Sequence, residues 1–225
     1  MPLMSMLDTL PIQRITQTLG TIITAVVKAA RNKRTKLSFL QITSGGTAHT
    51  WYVMREKGRT TLYSAAAGGA TSLVLTKDPG LYSTNAEFQS RGITPSVSDN
   101  GVSTADYLIF ELADGTAQLV KPSAVTTDSS TGRVTLTVSA IGGAGALAGA
   151  TVWFMGAPAD TDPHTNAIDP TIIPPTSATT TYPAAAGAGG AMIAQSYHVN
   201  SPLLIYNANA TAASVLDYGT AAYGD

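Results

Sequence analysis

At 225 residues, 44% of them hydrophobic, the chain is long enough for one sizeable domain or two small ones and can bury a core of its own. It contains no cysteine, which excludes a disulfide framework and any thiolate metal site. Charged residues make up only 12% and the formal net charge is −1, so the polar exterior must come from Thr, Ser, Gly, Asn and backbone, a surface suited to being covered by neighbouring molecules.

The near-zero total hides an asymmetry. Residues 1–60 carry Arg14, Lys28, Arg31, Lys33, Arg34, Lys36, Arg55, Lys57 and Arg59 against Asp8 and Glu56, whereas acids dominate the remainder and no Lys or Arg follows Arg133. Head-to-tail complementarity between copies follows from such a distribution.

The first zone, residues 1–36, predicts an N-terminal arm. Ile12, Ile15, Leu19, Ile22, Ile23, Val26, Val27 and Ala30 fall at the three-four spacing of one helical face, with Pro11 suited to a first helical position and Asp8 and Thr9 as caps. Against the period stands composition: most residues from Ile12 to Val27 are β-branched and Gly20 interrupts them, so an amphipathic helix here needs a partner surface to persist. The candidate partner-binding face is Ile12, Ile15, Leu19, Ile22, Ile23 and Val26, continued by the cations Lys28, Arg31, Lys33 and Arg34 at the helix end. The apolar stretch Leu19–Val27 is too short to span a bilayer and lacks a charged leader with a cleavage site, so the chain reads as soluble and uncleaved.

The second zone, residues 37–156, reads as β. "TWYVMRE", "TTLYSAA" and "TSLVLT" are strand-like and separated by the turn signals Lys57-Gly58 and Asp78-Pro79-Gly80. "DYLIFELADGTAQLVKP" predicts a hairpin about Asp114-Gly115. In "RVTLTVS" Val134, Leu136 and Val138 alternate with Thr135, Thr137 and Ser139, as in a half-buried strand with a threonine outer face. Short strands at such intervals imply a small barrel or sandwich. The segment "IGGAGALAGA" before "TVWFM" is either a tight connection at a barrel end or a flat contact surface for another chain.

The third zone, residues 157–225, opens with Pro158, Pro163, Pro170, Pro174, Pro175 and Pro183, a stretch poor in backbone donors that should run over a surface. "AAAGAGGA" serves as a joint, after which "MIAQSYHV" and "PLLIYNA" are strand-like again. The expected fold is therefore mainly β: a small β-barrel or sandwich body with an N-terminal helical arm and an extended Pro/Gly-rich C-terminal region that returns to the body or joins a neighbouring copy.

Within residues 69–156, "GATSLVLTKDPGLY", "DYLIFELADGTAQLVKPSAV" and "GRVTLTVSAIGGAGALAGATVWF" together resemble a β-module that recurs in virion proteins of tailed bacteriophages. There a "GATSL" strand, an Asp-led strand with a "DGT" hairpin and a Val-Thr-Leu strand followed by a second strand close a small barrel. The resemblance implies a structural role on a head, neck or tail, in the virion. The basic arm, the proline-rich excursion and the uncharged surface look most like a capsid decoration (cement) protein whose partners are the major capsid protein or other virion subunits. A homotrimer is favoured by analogy with the threefold sites of shells and because a three-four stripe suits bundling. The alternative is a head-fibre, tail or adhesin component binding a host receptor or glycan through Tyr182, Tyr197, Tyr206, Tyr218 and Tyr223.

Sites for chemistry are sparse. "GGAGALAG" lacks the Gly-Lys-Ser/Thr ending of a phosphate loop and precedes a strand, not a helix, which excludes the nucleotide cradle. Asp160, Asp162 and His164 alternate and could face one way toward a metal ion, with Asp169 near, but the segment lacks the glycine and terminal glutamate of a calcium loop and reads as a solvated acidic turn. The other histidines, His49 and His198, fall on strand-like segments, no Gly-x-Ser-x-Gly elbow exists, and Glu56, Glu87 and Glu111 are the only glutamates. The expectation is a protein that is not an enzyme and takes no cofactor. "RNKRTK" has no interleaved aromatic to stack on bases, so it reads as a solvated helix end or a dock for an acidic protein surface in preference to a nucleic-acid site.

Overall fold

A computed structural model describes residues 12–17, 24–27, 32–44, 49–56, 58–77, 102–156, 167–173, 179–182, 194–196, 199–207 and 214–223. These form sixteen strands and no helix: β1 (Ile12–Gln17), β2 (Thr24–Val27), β3 (Arg34–Ser44), β4 (His49–Met54), β5 (Gly58–Thr61), β6 (Ser72–Leu75), β7 (Tyr107–Glu111), β8 (Ala117–Val120), β9 (Ala124–Thr127), β10 (Val134–Thr137), β11 (Thr151–Gly156), β12 (Ala167–Ile173), β13 (Thr179–Tyr182), β14 (Ala194–Gln195), β15 (Leu203–Asn207) and β16 (Ser214–Tyr223). They assemble into four antiparallel sheets, ordered β6-β10-β9, β5-β11-β7-β8, β12-β4-β15-β2, and β1-β16-β3-β13 with β14 also on β3. The chain is mainly β, as the strand-like spacing and turn signals require.

The first two sheets enclose one apolar cluster. Leu73 and Leu75 from β6, Val134 and Leu136 from β10, Leu108 and Phe110 from β7 and Val152 and Phe154 from β11 meet in it, joined by Leu62, Val120, Val138 and Ile141. The alternate residues of the same two middle strands, Tyr107 and Ile109 on β7 and Trp153 and Met155 on β11, point the other way. There they pack on Met54 of β4 and Leu204 and Tyr206 of β15. The middle sheet is thus covered on both faces, which is why "YLIF" and "VWFM" are unbroken apolar runs. Strand β10, with one face to solvent, alternates instead: Val134 and Leu136 are buried, Thr135 and Thr137 exposed. Burying each of these aliphatic or aromatic side chains contributes about 1.5–3 kcal/mol relative to leaving it in water.

The Gly/Ala segment is a tight internal crossing. Ala66 and Ala146 exchange two backbone hydrogen bonds of 2.9 and 2.8 Å. Around that pair the bonds recur with roles exchanged: the Gly69 amide donates to Ile141 and the Gly149 amide to Leu62, while Ile141 donates to Ala70 and Leu62 to Ala150. Each arm ends in the same turn, Ala67 to Ala70 and Leu147 to Ala150, with Gly69 and Gly149 at φ 83° and 81°. Two "GA-Thr" stretches therefore cross about a local twofold axis between the first two sheets. A Cβ on Gly68 would lie 2.4 Å from the Gly143 carbonyl oxygen, and one on Gly145 would lie 2.6 Å from that of Ala66, so backbone meets backbone where any side chain would intervene.

The N-terminal helix is corrected by the structure. Ile12–Gln17 and Thr24–Val27 are strands, β1 pairing β16 from Ile12↔Gly219 to Gln17↔Ser214 and β2 pairing β15 from Thr24↔Tyr206 to Val27↔Leu203. The physical reason lies in the composition: β-branched residues lose side-chain freedom in a helix and fit a pleated sheet, and strands near the far end of the chain supply the partners. Proline is accommodated where donors are dispensable. Pro170 lies on β12, an edge strand, opposite Tyr52 of β4 and at a register shift between Ala167 and Pro170.

Candidate interaction surfaces

The cationic segment is built into the sheets as much as it is exposed. Asn32 and Asn200 both adopt the left-handed conformation that asparagine tolerates, at φ 55° and 56°. The Asn32 amide donates to Oδ1 of Asn200 at 2.6 Å and the Asn200 amide to the Lys33 carbonyl at 3.0 Å. Thr35, buried, donates its amide to Oγ of Ser196 at 2.9 Å and its hydroxyl to the Ser201 carbonyl at 2.7 Å. Lys33 is exposed at the turn and Arg34, which begins β3 opposite Tyr223, is half-buried. Asn200, Ser196 and Thr35 escaped the sequence reading because a clasp between segments so far apart in the chain leaves no local pattern.

Of the apolar candidates, Ile12 and Ile15 lie in β1, in backbone register with Gly219 and Leu216. Val26 is half-buried in β2 against the cluster of Met54, Trp153 and Leu204, inside this chain. Leu19, Ile22, Ile23, Lys28 and Arg31 lie outside the described residues, as do Asp160, Asp162, His164, His198 and Tyr197. Among the described residues no three His, Asp or Glu groups gather at metal-binding distance. His49 falls on β4 opposite Ile173. Tyr206 is withdrawn from the set of surface aromatics: it is 6% exposed, with its ring centroid 5.1 Å from that of Tyr107. Burial, then the Tyr206 hydroxyl, pushes the Tyr107 phenol above the usual tyrosine range.

Two outward surfaces stand out. On the outer sheet Ser72, Thr135, Thr137, Ala124 and Thr126 are exposed and uncharged, in cross-strand ranks Val74–Thr135–Thr126 and Ser72–Thr137–Ala124. At the crossing, Ala65, Ala67, Ala144, Leu147 and Ala148 are exposed, with Leu147 at 61%. The Gly/Ala segment is therefore a tight connection, and its outer side is uncharged.

The corner between β5 and β6 carries a cavity of about 230 Å³ lined by Arg59, Thr60, Thr61, Thr76, Lys77 and Thr151. Its floor is fixed by a bidentate pair: Arg59 donates from Nε to Oε1 of Glu56 at 2.6 Å and from Nη2 to Oε2 at 2.8 Å. The Glu56 side chain is fully buried while Arg59 is 35% exposed, so the cavity meets solvent with a guanidinium and the Lys77 ammonium. The hydroxyls of Thr61 and Thr76 bond each other at 2.9 Å across it. Such a lining can hold a carboxylate; it contains no nucleophile paired with a base. Glu56 and Arg59 are spaced three residues apart and the pair was missed because the spacing shows neither strand ends nor burial.

No family model matches the chain, and no curated protein does. Among solved structures the chain is similar to VP17, a capsid protein of bacteriophage P23-77, at 8% identity over 94% of this chain and 96% of that one, with a TM-score of 0.22, a likeness too slight to carry an argument about either fold or function.

Proposed function

We propose that the chain is a structural virion protein of a tailed phage, a decoration or cement subunit that binds assembled capsid shells and stabilises them through subunit contacts. The observation that carries this reading is the outer sheet. Two adjacent ranks holding Ser72, Thr135, Thr137 and Thr126 without a charge are poorly suited to keeping free molecules apart and well suited to close, neutral contact. The resemblance of residues 69–156 to a recurring virion β-module supports the same class. Stabilisation acts by mass action: a subunit that binds intact shell and not separated subunits favours the shell in proportion to its occupancy. The paired strands Ile12–Gln17 and Thr24–Val27 supply no helical stripe for bundling, so a homotrimer rests on the analogy with the threefold sites of shells.

The test adds purified chain to phage shells lacking it. Saturable co-sedimentation and a raised disruption temperature are expected. Indifference to shells together with specific retention on a glycan array would replace this reading by the adhesin one.

A further inference from the structure

The cationic cavity has an acidic neighbour on the same rim. Thr61 of β5 pairs Thr151 of β11, Glu111 of β7 pairs Ala117 of β8, and the register Val152↔Phe110 sets Thr151 beside Glu111. These four residues form one row across the middle sheet. Arg59, two residues before Thr61, projects on the same face. Glu111 thus stands about 10 Å from Thr61, two strand spacings away. Its carboxylate lies over the hairpin turn, since Oε1 would be 3.7 Å from a Cβ on Gly115, and Asp114 is exposed in that turn. Arg59 is offset by Glu56, so Lys77 gives one end of the row its net positive charge, while Glu111 and Asp114 make the other end negative.

We propose that this rim is a contact between two copies of the chain related by a twofold axis. Glu111 of one copy, with Asp114 beside it, enters the cavity of Arg59, Lys77 and the threonines of the second copy, and the reverse contact forms at the same time. A surface carrying opposite charges side by side is self-complementary under a twofold axis, because each residue meets its counterpart's partner. The hydroxyls of Thr61, Thr76 and Thr151 supply donors for the incoming carboxylate. Lys77, Glu111 and Asp114 are exposed, so the contact is salt-sensitive and acts more on encounter than on raw affinity. This inference does not rest on the virion reading.

Sedimentation velocity on the full chain over a range of concentration and salt tests it, with urea midpoints as the folding control. A reversible dimer weakened by salt is expected. Glu111→Lys and Lys77→Glu each act twice across the axis and should lower the association constant roughly tenfold, and the double variant should recover most of it. Both side chains are exposed, so the urea midpoints should hold. A wild type that stays monomeric, or single variants that associate like the wild type, overturns the proposal. A monomeric wild type whose salt-sensitive binding to shells is lost in Lys77→Glu also overturns it, giving the cavity to an acidic partner instead.

Discussion

Strands β7 and β10 line the same apolar cluster from two facing sheets and present opposite patterns. Along β7 Tyr107, Leu108, Ile109 and Phe110 are all buried, whereas along β10 burial alternates with exposure. Neither difference is one of strand propensity, since both sequences are rich in residues that suit a sheet. What differs is the number of layers. The middle sheet lies between the outer sheet and the sheet of β4 and β15, and among the described residues the outer sheet has a neighbour on one side only. Threonine on alternate positions therefore marks the outside of the molecule, and an unbroken apolar run marks its centre.

Truncation at the centre should have the largest effect. Phe110→Ala removes a fully buried ring from between two sheets and is expected to cost about 3–5 kcal/mol, read as a fall in the urea midpoint. Thr137→Ala on the outer face should stay within about 0.5 kcal/mol of the wild type. A comparable loss at Thr137 would break the contrast and put a further layer over the outer sheet.

The crossing sharpens the comparison at the scale of a single methyl group. Gly68→Ala places its Cβ 2.4 Å from a backbone oxygen, which no side-chain rotation relieves, and should cost about 1–3 kcal/mol. At the adjacent Gly69 the added Cβ would have no neighbour within 4 Å, so Gly69→Ala should cost only the left-handed conformation, about 1–2 kcal/mol. Thermal unfolding of the two variants side by side checks the order. If Gly69→Ala were the worse, conformation and not close approach would govern the crossing.

Much of these two sheets was legible in the sequence because their signals are local. The Asp114-Gly115 hairpin joins β7 to β8, and the Val134–Thr137 alternation is the burial pattern of β10. The N-terminal strands were not legible in the same way. Ile12 and Ile15 suit a helical stripe as well as a strand, and what decides between them is pairing with Gly219 and Leu216 at the other end of the chain. Pro170 is similar: it argues against a strand until β4 provides an edge on which its missing donor is harmless. The rim of Arg59, Thr151 and Glu111 depends on a register across three strands that no window of sequence contains.

A small effect is expected at the exposed tip of β9 and β10, and it is one of charge alone. Asp128 accepts from the Thr131 hydroxyl at 2.6 Å and from the Ser130 hydroxyl and amide at 2.7 and 2.9 Å. These donors, Thr131 foremost, hold its carboxyl below the usual carboxylate range. A group whose folded form favours the anion contributes stability that is fully present above its unfolded pKa, about 3.9, and is lost as pH falls from there through the lower folded value. Asp128→Asn keeps the side-chain shape and removes the charge. Its urea midpoint should fall slightly below that of the wild type at pH 7, and the gap should close as the medium is acidified below about pH 3.9. A gap that persists unchanged in acid would assign the turn's stability to hydrogen-bond geometry, making the tip, like the crossing, a matter of shape.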